Sequence, residues 1–154
     1  MRCDAKIAAM VFGLIPVAIL GGALAVTAMI ANGASMVWRL PFKLVCHGMV
    51  SRCLTLWNAP MPICARCTGI YVGLLIGILT FVMFWKRIDA GLARWFVMIA
   101  VVPIGIDGIT QALGLRESTN PLRLVTGFAV AFAFGMWVLA TIQKGNREEA
   151  VQLH

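Results

Sequence analysis

Four long apolar runs divide this chain, at residues 7–30, 69–85, 95–113 and 122–142. Each has about the ~17–25 residues that a helix needs to cross the hydrocarbon core of a bilayer. The pattern therefore predicts an all-α chain, a four-transmembrane-helix integral membrane bundle forming one unit over residues 1–154. The first run has a basic start at Arg2 and Lys6 and ends near the small residues Ala31, Ala34 and Ser35. Its apolar stretch exceeds the roughly 7–15 residues of a signal-peptide core, so it is expected to be a retained first helix.

Between the first two runs lies M-V-W-R-L-P-F-K-L-V-C-H-G-M-V-S-R-C-L-T-L-W-N. It is too apolar for a free aqueous loop and too polar to span. It is expected to lie along the membrane interface or dip into it, with Arg39 and Lys43 reaching back to water. Pro60 and Pro62 then force an extended approach to Cys64 and Cys67, which fall at the first turn of helix two. Within that helix Gly69, Gly73 and Gly77 recur every four residues, a stripe that lets another helix backbone approach closely. Pro16 and Pro103 fall inside helices one and three, where a membrane bundle tolerates them.

Composition supports the membrane reading. Hydrophobic residues make up 61% of the chain and charged residues 12%, against roughly 25% charged in soluble domains. The net charge of +7 comes from basic residues scattered between apolar runs, which suits headgroup contact and orientation better than nucleic-acid binding. With both termini on one side, that side holds Arg2, Lys6, Lys86, Arg87, Arg94, Lys144 and Arg147. The other holds Arg39, Lys43, Arg52, Arg66, Arg116 and Arg123. Setting aside the four arginines embedded in polar motifs (52, 66, 116 and 123), the balance favours cytoplasmic termini in a cell membrane, with Cys46 to Cys67 outside. Trp85 and Trp95 bracket a short charged turn, as interfacial aromatics do.

The candidate chemistry gathers in two places. Cys46, His47, Cys53, Cys64 and Cys67 fall within one short stretch. Cys46, His47, Cys64 and Cys67 have the ligand types of a zinc or iron site, although adjacent Cys46 and His47 are awkward partners for one ion. Alternatively, Cys64 and Cys67 form a redox dithiol, made reactive by the helix N-terminus and Arg66. The plain alternative is small cysteines used for packing. Were the loop helical, Cys46 and Cys53 would lie two turns apart, roughly 10 Å by helix rise, too far for a disulfide.

The second place is I-D-G-I-T-Q-A-L-G-L-R-E-S-T-N-P-L-R-L-V-T-G. Asp107, Thr110, Gln111 and Gly114 share one face of helix three. A carboxylate in a membrane segment needs a partner, and Arg116 and Arg123 are the expected cations. The pair is either a structural pin or part of a pocket for an anionic lipid headgroup or a quinone carbonyl. Lipid phosphotransferases also begin their motif with D-G, but their two metals need further aspartates that this chain lacks. Ser-His-Asp groupings, Gly-rich phosphate loops and HExxH are absent.

Cys-His at 46–47, Arg52, C-x-R-C-x-G-I-Y at 64–71 and D-G-x-T-Q-x-x-G-x-R-x-S-x-N-x-x-R-x-x-T-G at 107–127 together carry a resemblance. Over roughly residues 40–140 the chain resembles a family of small predicted membrane proteins of bacteria and archaea, a domain of unknown function. The resemblance implies that Cys46, His47, Arg52, Cys64, Arg66, Cys67, Tyr71, Asp107, Gln111, Arg116, Ser118, Asn120, Arg123 and Gly127 belong to the family pattern. It also implies Ser where this chain has Cys53, which leaves three motif cysteines and His47 and favours a metal over a two-disulfide relay. In architecture, an outward CxxC entering helix two is also similar to membrane enzymes that form disulfides and pass electrons to quinone. The reading is thus a membrane metal site at Cys46, His47, Cys64 and Cys67, beside a ligand pocket of Arg66, Asp107, Gln111, Arg116, Asn120 and Arg123. A quinone-coupled thiol oxidoreductase and a non-catalytic lipid-binding or transport module are the alternatives.

Overall fold

The computed structural model describes residues 3–84, 88–115 and 117–152. Helices α1 (Cys3–Ala31), α2 (Ala65–Phe84), α3 (Ala90–Ala112) and α4 (Asn120–Gln152) form an all-α integral membrane bundle. Among the described residues, these are the four helices long and apolar enough to cross a bilayer. Each extends beyond its apolar run at one end or both, because hydropathy marks only the part in hydrocarbon. The helical backbone continues through Arg66 and Cys67 at the start of α2, and through Lys144 and Glu148 in α4. Asp89 caps α3, its carboxylate accepting from the Leu92 N–H at 3.0 Å, which starts that helix five residues before Trp95. Helices α1 and α3 continue past Pro16 and Pro103. Of the expected interfacial pair Trp85 and Trp95, Trp95 is exposed on α3, while Trp85 lies outside the described residues, as do Lys86 and Arg87.

Packing centres on α2 and α4. A Cβ at Gly69, Gly73 or Gly77 would overlap the α4 backbone at Leu124, Phe128 and Phe132 respectively. Gly127 answers from α4, against the Arg66 carbonyl. In lipid, helix association draws on van der Waals packing and interhelical hydrogen bonds, so this backbone-to-backbone approach is the main source of cohesion. Hydroxyls inside the helices bond their own backbone: Thr27, Thr126 and Thr141 donate to carbonyls four residues earlier at 2.7, 2.8 and 2.9 Å. That removes a polar group from hydrocarbon without a partner helix.

The α1–α2 connection differs from a helix. A 3-10 helix spans Met36–Leu44, a 3-10 turn spans Val50–Arg52, and an antiparallel hairpin follows, β1 (Cys53–Leu56) and β2 (Ala59–Cys64). The 3-10 helix leaves Val37, Trp38, Leu40 and Leu44 exposed, which suits a segment lying in the membrane interface. Trp57 and Asn58 close the hairpin with φ of 50° and 63°, the left-handed pair that a tight two-residue turn requires. Pro60 and Pro62 hold β2 extended, as expected, and β2 delivers Cys64 directly to α2. The premise of a helical loop, with Cys46 and Cys53 two turns apart on it, does not hold: Cys46–Met49 is irregular backbone.

Candidate functional site

The C-terminal ends of α1 and α3 meet the N-terminal ends of α2 and α4 at one end of the bundle, and the hairpin covers that end. Cys46, Cys64 and Cys67 converge there, their Sγ atoms all within 4.8 Å of one another. Thiolates around a tetrahedral ion at about 2.3 Å stand roughly 3.8 Å apart, so the group needs little adjustment to hold one. Backbone N–H groups point at the sulfurs. Those of Gly48 and Cys64 donate to Cys46 Sγ at 3.4 and 3.2 Å, and that of Cys67 donates to Cys64 Sγ at 3.5 Å. Gly48 takes φ +57° to make this turn, and a Cβ there would sit 2.9 Å from the Pro62 carbonyl oxygen. Such donors stabilise negative sulfur, which is the form that binds metal or attacks a disulfide. The Cys64 thiol is held well below its ordinary value, chiefly by a side-chain hydrogen bond from Cys67, with burial opposing.

Behind the sulfurs lies an apolar wall. Ile63, Met61 and Ala23 are buried, and Ile19, Leu20 and Tyr71 pack against them. Helix α1, which carries none of the motif residues, thus shields the site from the lipid side.

His47 is exposed and stands outside the group of mutually close ligand atoms. This differs from the expected four-residue ligand set and has a simple cause: adjacent side chains in non-helical backbone diverge, so Cys46 turns inward and His47 outward. Cys53 is buried opposite Cys64 in the hairpin register. Its thiol donates to the Met49 carbonyl at 3.1 Å, and burial raises it above the ordinary value, the Arg39 guanidinium only tempering the rise.

Arg39 does not reach back to water. Its Nη2 donates to the carbonyls of Gly48 at 3.1 Å and Met61 at 3.0 Å and approaches Cys53 Sγ at 3.5 Å. One guanidinium therefore clamps the segment after Cys46 to the strand before Cys64. Sequence reasoning treated this residue as an interfacial flank, and its proximity in sequence to Lys43 offered no sign of a different role.

The polar cluster has a member the sequence did not single out as a partner. Asp107, 2% exposed, forms an ion pair with Arg66 of α2, in addition to its charge attraction for Arg123, one of the two expected cations. The geometry explains it: α2 begins beside the outer end of α3, and Arg66 is in its first turn. Arg116 lies outside the described residues. Arg123, 5% exposed, donates to Asn120 Oδ1 at 3.5 Å. The Gln111 amide faces two guanidiniums and satisfies them when its oxygen lies on that side, accepting from Arg123 Nη2 at 2.6 Å and Arg52 Nη2 at 3.3 Å. Asn120 in turn donates to the Cys53 carbonyl at 3.3 Å, tying α4 to the hairpin. A cavity of about 320 Å³ joins the two clusters, lined by Cys46, Cys64 and Cys67 together with Arg52, Arg66 and Arg123.

A family model described as a predicted membrane protein, domain of unknown function 2085, matches residues 46–137. An uncharacterized protein of Methanocaldococcus jannaschii is 39% identical over 99 residues, 64% of this chain and 64% of that protein, so over a third of that relative is unmatched. An uncharacterized protein of Methanothermobacter thermautotrophicus is 35% identical over 106 residues, 67% of this chain and 90% of that protein. No solved structure matches. The matched span runs from Cys46 through the CxxC and the polar residues of α3 and α4, and the chain belongs to the domain of unknown function 2085 family of predicted membrane proteins.

Proposed function

We propose that the protein is a membrane metal site in which Cys46, Cys64 and Cys67 hold one zinc or iron ion at the outer face of the bundle. The observation that carries this reading is the convergence of three sulfurs within 4.8 Å, backed by N–H donors to two of them. Three thiolates leave a fourth position, and the cavity lined by Arg52, Arg66 and Arg123 lies next to it. His47, at the same cavity, is a fourth ligand only if its side chain turns inward. Bound there, the ion staples the irregular Cys46–Met49 segment to the start of α2 and offers a Lewis-acidic face to whatever enters the cavity.

Elemental analysis of the purified protein tests this. About one zinc or iron per chain is expected, lost in Cys46→Ser, Cys64→Ser and Cys67→Ser and at most weakened in His47→Ala. Metal-free protein with a reversible Cys64–Cys67 disulfide would overturn the reading in favour of thiol–disulfide exchange, with quinone as the electron acceptor to be tested next.

The orientation is part of the proposal: termini in the cytoplasm, Cys46 to Cys67 outside. A membrane-impermeant thiol reagent applied to intact cells, after chelation and reduction, should label the cysteines of the site. Labelling only after lysis reverses the orientation.

A further inference from the structure

We propose that a second cavity, between the 3-10 turn Val50–Arg52 and the start of α4, binds a phosphate-type oxyanion. This cavity, of about 270 Å³, is lined by Ser51, Arg52, Glu117, Ser118, Asn120 and Arg123, among others. At roughly 30 Å³ per water, it has room for a phosphate group and its remaining hydration. No cysteine lines it, so the proposal stands independently of the metal reading.

Three observations point to an anion. First, Arg52 and Arg123 converge on one neutral acceptor, the Gln111 amide oxygen. An amide can hold two guanidiniums in place but cannot neutralise them. Arg123 is almost fully buried, where an uncompensated cation is costly. Asp107, ion-paired with Arg66, also attracts Arg123, yet it is one carboxylate facing the three guanidiniums of Arg52, Arg66 and Arg123. Glu117, which lines the cavity, is exposed, so its charge is largely screened by solvent. Second, the Ser118 hydroxyl is buried without a hydrogen-bond partner in a residue only 7% exposed. A buried hydroxyl normally finds a partner, and a rotation of Ser118 about χ1 toward the cavity it lines lets it donate to a phosphate oxygen. Third, Ser118–Asn120 lead into α4, a helix of 33 residues, whose N-terminal N–H groups and dipole favour negative charge. Arg52 and Arg123 then supply the forked donors that phosphate oxygens accept in pairs.

The anion has two sources, a lipid headgroup at the membrane surface or a soluble phosphate. Full-length protein in phosphatidylcholine nanodiscs separates them. The probes are inorganic phosphate and the short-chain soluble lipid dihexanoyl-phosphatidylglycerol, read by isothermal calorimetry and by the shift in thermal unfolding. Saturable binding of the lipid alone assigns a headgroup site; binding of both probes, each competing with the other, assigns a general phosphate site. Arg52→Gln should weaken binding by about tenfold or more, and Ser118→Ala by a smaller factor. Arg123→Gln should abolish it but removes a buried side chain, so Arg52→Gln, on a half-buried turn residue, is the deciding variant. Lys43→Gln, a cation outside the cavity, should leave affinity unchanged. Absence of saturable binding by either probe, or binding indifferent to both Arg52→Gln and Ser118→Ala, overturns the proposal.

Discussion

The α2–α4 seam and the polar mouth above it are built by the same two helices on opposite principles. Along the seam, Gly69, Gly73 and Gly77 bring the backbones into contact and leave no room for a side chain. At the mouth, one turn further up, the helices present Arg66 and Arg123, long cationic side chains that need space and partners. The seam gains its cohesion from the absence of side chains, the mouth its chemistry from their presence. The two are linked at Gly127, which lies four residues beyond Arg123 and rests on the carbonyl of Arg66. Close packing below therefore fixes the separation at which the arginines of α2 and α4 face Asp107 and Gln111.

The most damaging change should be to the seam. Gly73→Val places two methyl groups and a Cβ where the Phe128 backbone already stands. Ordinary overpacking costs about 1–3 kcal/mol because side chains shift; here a helix must move, so a larger loss is expected. Gel filtration in detergent should show little monodisperse protein, and normal recovery would mean that the seam is softer than its geometry implies.

Next comes the ion pair. Asp107→Asn strands a guanidinium and should cost roughly 3–5 kcal/mol in thermal unfolding. Asp107→Asn with Arg66→Gln should regain part of that loss, since the lone charge is gone. A double variant no better than the single would show that Asp107 supports the mouth through other contacts.

Arg39→Ala removes a charged donor from two carbonyls, at about 1–3 kcal/mol. Its larger effect should be on the cysteines, because the clamp joins the two segments that carry them. Metal content or thiol accessibility should change more than the unfolding temperature. The smallest effect belongs to Cys53→Ser. A hydroxyl can keep the hydrogen bond to the Met49 carbonyl, so stability should shift by less than about 1 kcal/mol, with metal content unchanged.

What could be read from the chain alone divides along the same line. The four spans were legible because a bilayer imposes a length and a polarity that any window of residues reveals. The glycine stripe was legible because three small residues at a spacing of four have one structural use in a membrane helix. Cys64 and Cys67 were legible as a pair for similar reasons of local spacing. The pairing of Arg66 with Asp107 was not, because 41 residues separate them and nearer arginines competed for the same carboxylate. Arg39 was missed because its partners are backbone carbonyls, which carry no residue-type signal. The hairpin was missed because its turn is Trp57–Asn58, with no glycine to mark two left-handed residues. His47 was included among the ligands by type and proximity, whereas backbone direction places it outside the group.

One consequence concerns the outer edge of the hairpin. The Leu56–Ala59 pair closes the two-residue turn, and Thr55 faces Pro60 across the next rung. In an antiparallel pair, rungs alternate between those that exchange hydrogen bonds and those whose donors face away. Pro60 therefore occupies an outward-facing rung; beyond it the register shifts before Cys53–Cys64, and Pro62 is buried against the Gly48 turn. At that rung β2 lacks the amide proton that an incoming strand would need. The proline at that rung and the burial of the strand beyond it disfavour pairing with the hairpin of a neighbouring copy, which would otherwise bring the cysteines of two chains together.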